Sequence, residues 1–289
     1  MSIWRVVILA VLQGFAELLP VSSSAHVVVA EKLMGMDPSS PEMTLLLVML
    51  HTGTMFAVIL FFWAQWRRAF FQSAAAFKES AVLLILATGI TGAVGEVLKK
   101  LIEKVWFRGV PGAEVEQLFS HLELIAPALA AGGILILIAG LREKRRSVEA
   151  EAGDVGLNAR QASLIGLVQA FCLPFRGFSR SGATISAGML DGVPKMRAEE
   201  FSFALAVLLT PAVDGLELLR LMKAEHVSGG AGLASAMLPG LFGAFCAFLA
   251  GLLALKWLSG WLERGRWYLF GIYCLVASVA VFLLYRAGF

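Results

Sequence analysis

The sequence predicts an all-α polytopic membrane protein built as an inverted-topology repeat, each half a re-entrant helix–loop–helix followed by three transmembrane helices. Three observations carry this: the composition, the lengths of the apolar runs, and a self-similarity between two polar interruptions. Of the 289 residues, 58% are hydrophobic and only 16% charged, with a mean hydropathy of +0.79. That is more apolar side chain than one soluble core can bury, and it excludes disorder, a fibrous repeat and a secreted disulfide scaffold. A formal charge of +3 is too mild to imply nucleic acid as a partner. Cys172, Cys246 and Cys274 lie in apolar stretches. Their odd number and placement read as small lipid- or core-facing residues and not as a disulfide or metal cluster.

A helix that crosses a bilayer needs about 20 mostly apolar residues. Six segments qualify, at 43–65, 81–98, 122–141, 201–221, 233–256 and 267–286. Two further apolar regions are broken. Residues 3–36 are interrupted by Gln13, Glu17, Pro20, three serines and His26, and residues 161–190 by Pro174, Arg176, Gly177, Ser179, Arg180, Ser181 and Gly182. Unpaired backbone and charge are costly in hydrocarbon, so each reads as a re-entrant hairpin whose polar tip is shielded by protein. The start also carries a weak signal-peptide pattern, with Arg5, an apolar run over 6–12 and Ser23-x-Ala25. Gln13 and Glu17, lying between the run and the cut, count against that reading.

The positive-inside bias orients the chain. Thirteen basic residues (Arg67, Arg68, Lys78, Arg142, Lys144, Arg145, Arg146, Arg160, Lys195, Arg197, Lys256, Arg264 and Arg266) fall on one face if the two broken segments do not cross. Seven (Lys99, Lys100, Lys104, Arg108, Arg220, Lys223 and Arg286) fall on the other. Both termini are therefore expected outside. Trp63, Trp66, Trp106, Trp257, Trp261 and Trp267, at span ends, are expected to form an interfacial belt.

The two broken segments align at an offset of 156, matching Gln13 with Gln169, Phe15 with Phe171 and Ser23 with Ser179. Each is followed by three spans. Three is odd, so the second copy enters the membrane inverted, and both tips meet near the midplane in one polar site. Repeat 1 covers 1–141 and repeat 2 covers 161–289. Between them, 142–160 reads as a cytoplasmic linker carrying Glu149, Glu151 and Asp154.

The second tip, Arg176-Gly-Phe-Ser-Arg-Ser-Gly-Ala-Thr184, combines flexible backbone, hydroxyls and two fixed cations. With a half-helix starting near Gly182, it suits a phosphate or diphosphate; the plainer alternative is an arginine pairing with a membrane carboxylate. The first tip offers Glu17, Ser22, Ser23, Ser24 and His26. Ser23 and His26, three apart, meet on one helical turn as a nucleophile and base would. Glu17 is expected to hold a divalent cation or to orient the histidine or a water; helix capping by the serines and a Glu–Arg pair are the structural alternatives. His51-Thr-Gly-Thr54 is a weaker candidate to line the site. Asp214 and Glu217 either face a cavity or pair with Arg220, and His121 and His226 fall in loops. Gly243, Ala247 and Gly251 form a small-residue packing stripe.

Gln13-Gly-Phe-Ala-Glu17 with Pro20-Val-Ser-Ser-Ser-Ala-His26, together with Gly177-Phe-Ser-Arg-Ser-Gly-Ala-Thr-Ile185 and Glu200-Phe-Ser-Phe203, resembles the bacterial undecaprenyl-diphosphate phosphatases, also called bacitracin-resistance proteins. The resemblance runs over essentially the whole chain and includes the paired three-span pattern. It implies a multi-pass enzyme of the bacterial inner membrane that removes the terminal phosphate of a C55 isoprenyl diphosphate, regenerating the carrier lipid for peptidoglycan. It also implies a site open to the periplasmic face and a requirement for Mg²⁺ or Ca²⁺. Carried onto these residues, Glu17 serves the metal or water, Ser23 or Ser22 is the nucleophile or phosphate ligand, and His26 is the acid or base. Arg180 with Ser179 clamps the diphosphate. The make-up of the two tips themselves adds Gln13, Ser24, Arg176, Gly177, Ser181 and Thr184 as candidates for substrate binding. Two positions depart from the family pattern. Gln13 stands where the family usually has the first Glu of Glu-Gly-x-x-Glu, and Arg176 stands where it tends to have Pro. The partners expected are the polyprenyl diphosphate lipid and the bilayer, with a homodimer left open. A transporter flipping polyprenyl phosphate through the same inverted repeat, and an accessory protein with a dead site, are the competing readings.

Overall fold

The computed structural model describes residues 2–106, 115–146, 156–228, 232–262 and 266–289. Among these the chain forms ten α-helices and one short 3₁₀ helix, with no strand. In order they are α1 (Ile3–Leu18), α2 (Ser23–Leu33), α3 (Pro41–Ala69), α4 (Ala74–Trp106), the 3₁₀ helix (Val115–Ser120), α5 (Leu122–Arg146), α6 (Ala159–Cys172), α7 (Arg180–Leu190), α8 (Lys195–Ser228), α9 (Gly232–Leu262) and α10 (Tyr268–Arg286). Six of them are long and apolar enough to cross a membrane, over Pro41–Ala69, Ala74–Trp106, Leu122–Lys144, Lys195–Met222, Ala236–Trp257 and Tyr268–Arg286. The chain is thus a multi-pass membrane protein. Glu149, Glu151, Asp154, Arg108 and Arg264 lie outside the described residues, as do the side chains of Arg145, Arg146, Lys223, His226 and Trp261.

Both interrupted segments fold as two short helices around a break, for local reasons. Leu19 precedes Pro20, which disfavours helical backbone, and adopts φ −82, ψ 149 at the end of α1. Ser22 then sits at φ 67, the one non-glycine residue with positive φ among those described. That conformation costs about 1–2 kcal/mol for an L-residue, so something must hold it. At the second break the chain turns at Gly177, with φ +108. A Cβ there would also come within 2.6 Å of the Ile125 carbonyl oxygen on α5, so glycine is required twice over. Ser179 caps α7 by accepting from the Gly182 N–H at 3.3 Å. Ser22 and Ser179 are the N-cap residues of α2 and α7. These two N-caps are 157 positions apart, one more than the 156 of the ungapped alignment.

Packing alternates between the halves. Helix α1 lies along α9, α6 along α4, α5 along α10, and α3 against both α9 and α8. The small-residue stripe of α9 allows the first of these: a Cβ on Gly14 would meet Ala250 Cβ at 2.5 Å and the Ala247 carbonyl at 2.8 Å. Gly53 of α3 abuts the Ala244 carbonyl just as tightly. Helix α10 braces both breaks. Cys274 Sγ donates to the Pro20 carbonyl at 3.5 Å, and Trp267 Nε1 donates to Ser186 Oγ of α7 at 3.0 Å.

That last contact corrects the belt. Trp63, Trp106 and Trp257 are exposed as anchors should be, but Trp66 and Trp267 are buried at 6% and 1% exposure. Trp66 Nε1 donates to the Glu200 carbonyl, so both indoles satisfy their N–H inside the fold. Helix α5 also continues through 142–146, where the linker was expected to have begun. Glu217 pairs with Arg220 at 3.5 Å, while His121 is exposed and bonded to Glu123 at 2.6 Å.

Candidate active site

The two breaks meet at a cavity of about 230 Å³. Helices α3 and α8 supply its side walls through Leu47, His51, Leu209 and Asp214, and Phe119 of the 3₁₀ helix lies at its rim. From the first break come Glu17, Ser22, Ser23 and Ser24. The second contributes Arg176, Gly177, Ser179, Arg180 and Ser181. Nine of the sequence-predicted residues therefore converge here across more than 150 positions of chain.

At its centre is Glu17. Arg180 Nη2 donates to Glu17 Oε1 at 2.8 Å, joining the two halves by a charge-assisted bond. Ser23 Oγ donates to Glu17 Oε2 in a very short hydrogen bond. Gln13 Nε2 donates to the same oxygen at 3.1 Å, and His51 Nε2 stands 3.7 Å from it. The tips are further tied by Ser181 Oγ donating to the Leu19 carbonyl at 3.5 Å. The Arg–carboxylate pair that the sequence offered as a plain structural alternative thus exists, but in a cavity wall and beside a serine. Arg180 Nη1 is buried with no hydrogen-bond partner. Arg176 lies 4.5 Å over the Phe119 ring, and both line the cavity.

Three expected site residues take other positions. His26 does not line the cavity. Its Nδ1 bonds the Ser22 carbonyl at 2.7 Å, its Nε2 bonds the Tyr273 hydroxyl at 2.7 Å, and the two rings stack. Three-residue spacing brings Ser23 and His26 onto one turn of α2, but the left-handed Ser22 turns the serine to Glu17 and the ring to α10. The imidazole anchors the strained carbonyl instead of meeting Ser23. Thr184 is fully buried, donating to the Arg180 carbonyl and sharing a 2.6 Å bond with Ser202 of α8. It pins the first turn of α7 and is not among the residues that line this cavity. Gln13 is also fully buried and reaches the site only through Glu17. Conversely, His51 and Asp214, weaker candidates in the sequence, both face the cavity, and so does Cys172, which was expected to face lipid or core. Tyr273 and Phe119 had no signal in the sequence, since an aromatic in an apolar run or loop is unremarkable until its partner is known.

The donor set around Glu17 does not fit a divalent cation well. Its neighbours are N–H and O–H donors, and Gln13 presents its NH₂ group. Among the described residues no group of three or more His, Cys, Asp or Glu side chains is arranged to hold a metal ion.

A family model described as bacitracin resistance protein BacA matches residues 6–280. Undecaprenyl-diphosphatase 2 of Acinetobacter baylyi is 58% identical over 287 residues, covering 98% of both chains. Undecaprenyl-diphosphatase 2 of Burkholderia orbicola is 35% identical over 288 residues, covering 96% of this chain and 95% of that one. Undecaprenyl-diphosphatase 1 of Burkholderia pseudomallei is 36% identical over the same shares. With a match that spans nearly the whole chain and takes in both breaks that build the cavity, this protein belongs to the BacA bacitracin-resistance family.

Proposed function

We propose that the chain is a membrane phosphatase that hydrolyses undecaprenyl diphosphate to undecaprenyl phosphate and inorganic phosphate, recycling the carrier lipid of wall synthesis. The names of its relatives support the substrate. The observation that carries the chemistry is the Ser23 hydroxyl donating to Glu17, whose other oxygen is held by Arg180.

In this reading the Arg180 guanidinium and the N-terminus of α7 receive the terminal phosphate. Glu17 takes the Ser23 proton as Oγ bonds to phosphorus, the bond from phosphorus to the bridging oxygen breaks, and undecaprenyl phosphate leaves with that oxygen. Glu17 passes that proton to the departing oxygen, then takes a proton from the water that attacks the phosphoserine and returns it to Ser23 Oγ as phosphate departs. Direct attack by a water that Glu17 deprotonates balances equally and uses the same groups. Trapping of labelled phosphate on the protein, absent in Ser23→Ala, separates the two routes. Developing charge is met by guanidinium groups already fixed in place before the reaction, which is how such stabilisation avoids a reorganisation cost.

The inverted repeat belongs to the same proposal. It is supported by the reciprocal packing of α1 on α9 and α6 on α4, by the paired serine N-caps, and by two equal 11-residue helices after the breaks. With the basic residues inside, the cavity rim at Phe119 opens to the periplasmic face and both termini lie there. A transporter of the same architecture has no use for a serine proton held on a carboxylate, and that bond favours the phosphatase. Phosphate release from C55 isoprenyl diphosphate by the detergent-purified protein tests it: wild type turns over, and Ser23→Ala and Arg180→Ala fall by on the order of 10²-fold or more. No release by folded wild type overturns the proposal.

A further inference from the structure

The family resemblance places a divalent cation at Glu17, but Glu17 is already provided for. Its carboxylate has about four lone-pair directions. Arg180 occupies one on Oε1, Gln13 and Ser23 occupy two on Oε2, and His51 stands beside the latter. Mg²⁺ and Ca²⁺ need a shell of oxygen ligands, and a guanidinium and an amide NH₂ offer them only like charge or positive dipoles.

Gln13 is the decisive residue. A carboxylate there, 3.1 Å from Glu17 as the amide now is, would repel it unless a proton or cation sat between them. The amide removes that need by donating to Glu17. Its own oxygen is turned away into protein, buried without a partner, and Gln13 forms no part of the cavity lining. The Glu17 anion has no neighbouring anion on its own helix; the other carboxylate lining the cavity is Asp214 of α8, which is held by Thr52 and His51, and fixed positive charge in the cavity comes from Arg180 and Arg176.

We propose that this chain is a cation-independent member of its family, in which the Gln13 amide and the Arg180 guanidinium do at Glu17 what a divalent cation would otherwise do. This rests on the phosphatase reading, and the test separates the two. Full-length protein is stripped with EDTA and assayed for phosphate release with EDTA, Mg²⁺ or Ca²⁺. In parallel, Mg²⁺ and Ca²⁺ are titrated calorimetrically into wild type and Glu17→Gln.

The expected result is the same rate in EDTA as with either cation, and titrations that superpose for the two proteins. Gln13→Glu is expected to acquire a requirement, its EDTA rate falling on the order of 10²-fold, as removal of a catalytic Lewis acid does, and returning with Mg²⁺. A wild-type rate lost in EDTA and restored by cation overturns the proposal, as does saturable cation binding that Glu17→Gln abolishes. A Gln13→Glu enzyme indifferent to cation overturns the part given to Gln13. No release under any condition refutes the phosphatase instead, while the calorimetry still decides the cation.

Discussion

Replacing Glu17 by glutamine removes one charge and keeps the shape, so the structure gives separate expectations for stability and for rate. The amide oxygen of the Glu17→Gln variant can stay toward Arg180 Nη2, which is 2.8 Å from Glu17 Oε1 in the wild type. The new NH₂ group then faces Gln13 and Ser23. Ser23 can rotate to accept, and Gln13 can flip, turning toward residue 17 the oxygen that at present has no partner. Every polar group facing residue 17 can therefore be paired, the flip exchanging the unpartnered Gln13 oxygen for an unpartnered NH₂. What is lost is the difference between a charged hydrogen bond, worth about 1.5–3 kcal/mol, and a neutral one, worth about 0.5–1.5 kcal/mol. The net cost is roughly 1 kcal/mol, a melting shift of only a few degrees in a chain of this size. Catalysis loses the group that receives the Ser23 proton, for which a fall of about 10²–10⁴-fold is usual. Phosphate release at saturating lipid, beside thermal unfolding in detergent, measures both. Retention of more than about a tenth of wild-type turnover would show that the proton goes elsewhere, with His51 the next group to remove.

Arg180→Lys keeps the charge but loses the planar fork, so it should recover part of the KM and little of the kcat lost in Arg180→Ala, read from steady-state kinetics. Tyr273→Phe and His26→Ala should each lower turnover moderately, and the double variant should be no worse than His26→Ala alone. That non-additivity is the sign of two groups that act through one carbonyl, and a double-mutant cycle checks it. Thr184→Val leaves Ser202 buried and short of a partner. It should cost about 1–3 kcal/mol of stability with turnover per folded molecule nearly unchanged, measured by melting and active-fraction assays.

The six spans were legible because length and hydropathy alone decide them, and the two breaks because charge, Pro and Gly have no other tolerable place in an apolar stretch. The convergence of Glu17, Ser23 and Arg180 was legible for the same reason: polar groups displaced from lipid must find one another. What could not be read was the direction each side chain takes at the break. Ser22 at positive φ rotates the first turn of α2 so that Ser23 and His26 part company, and periodicity assumes a regular helix at the one place where it is not regular. Trp66 and Trp267 were misplaced by a similar assumption, since a span end marks the interface only where no neighbouring helix covers it. Tyr273 lies 247 residues from His26, and no local pattern connects them.

The brace from α10 explains why a site between two hairpin tips can be held at all. Each tip is a short helix pair joined by a turn, and neither buries enough on its own to fix a side chain in one place. Helix α10 and its N-cap reach both tips, through Cys274 to Pro20, Tyr273 to His26 and Trp267 to Ser186, while the Arg180–Glu17 bond joins the tips across the cavity. In the proposed mechanism a phosphate that draws Arg180 toward itself loosens that bond, while the α10 contacts do not involve Arg180. On that reading the turn at Ser22 is held by contacts separate from those of the arginine proposed to bind substrate. That separation lets the ion pair serve as the resting partner of both groups without becoming a barrier to either.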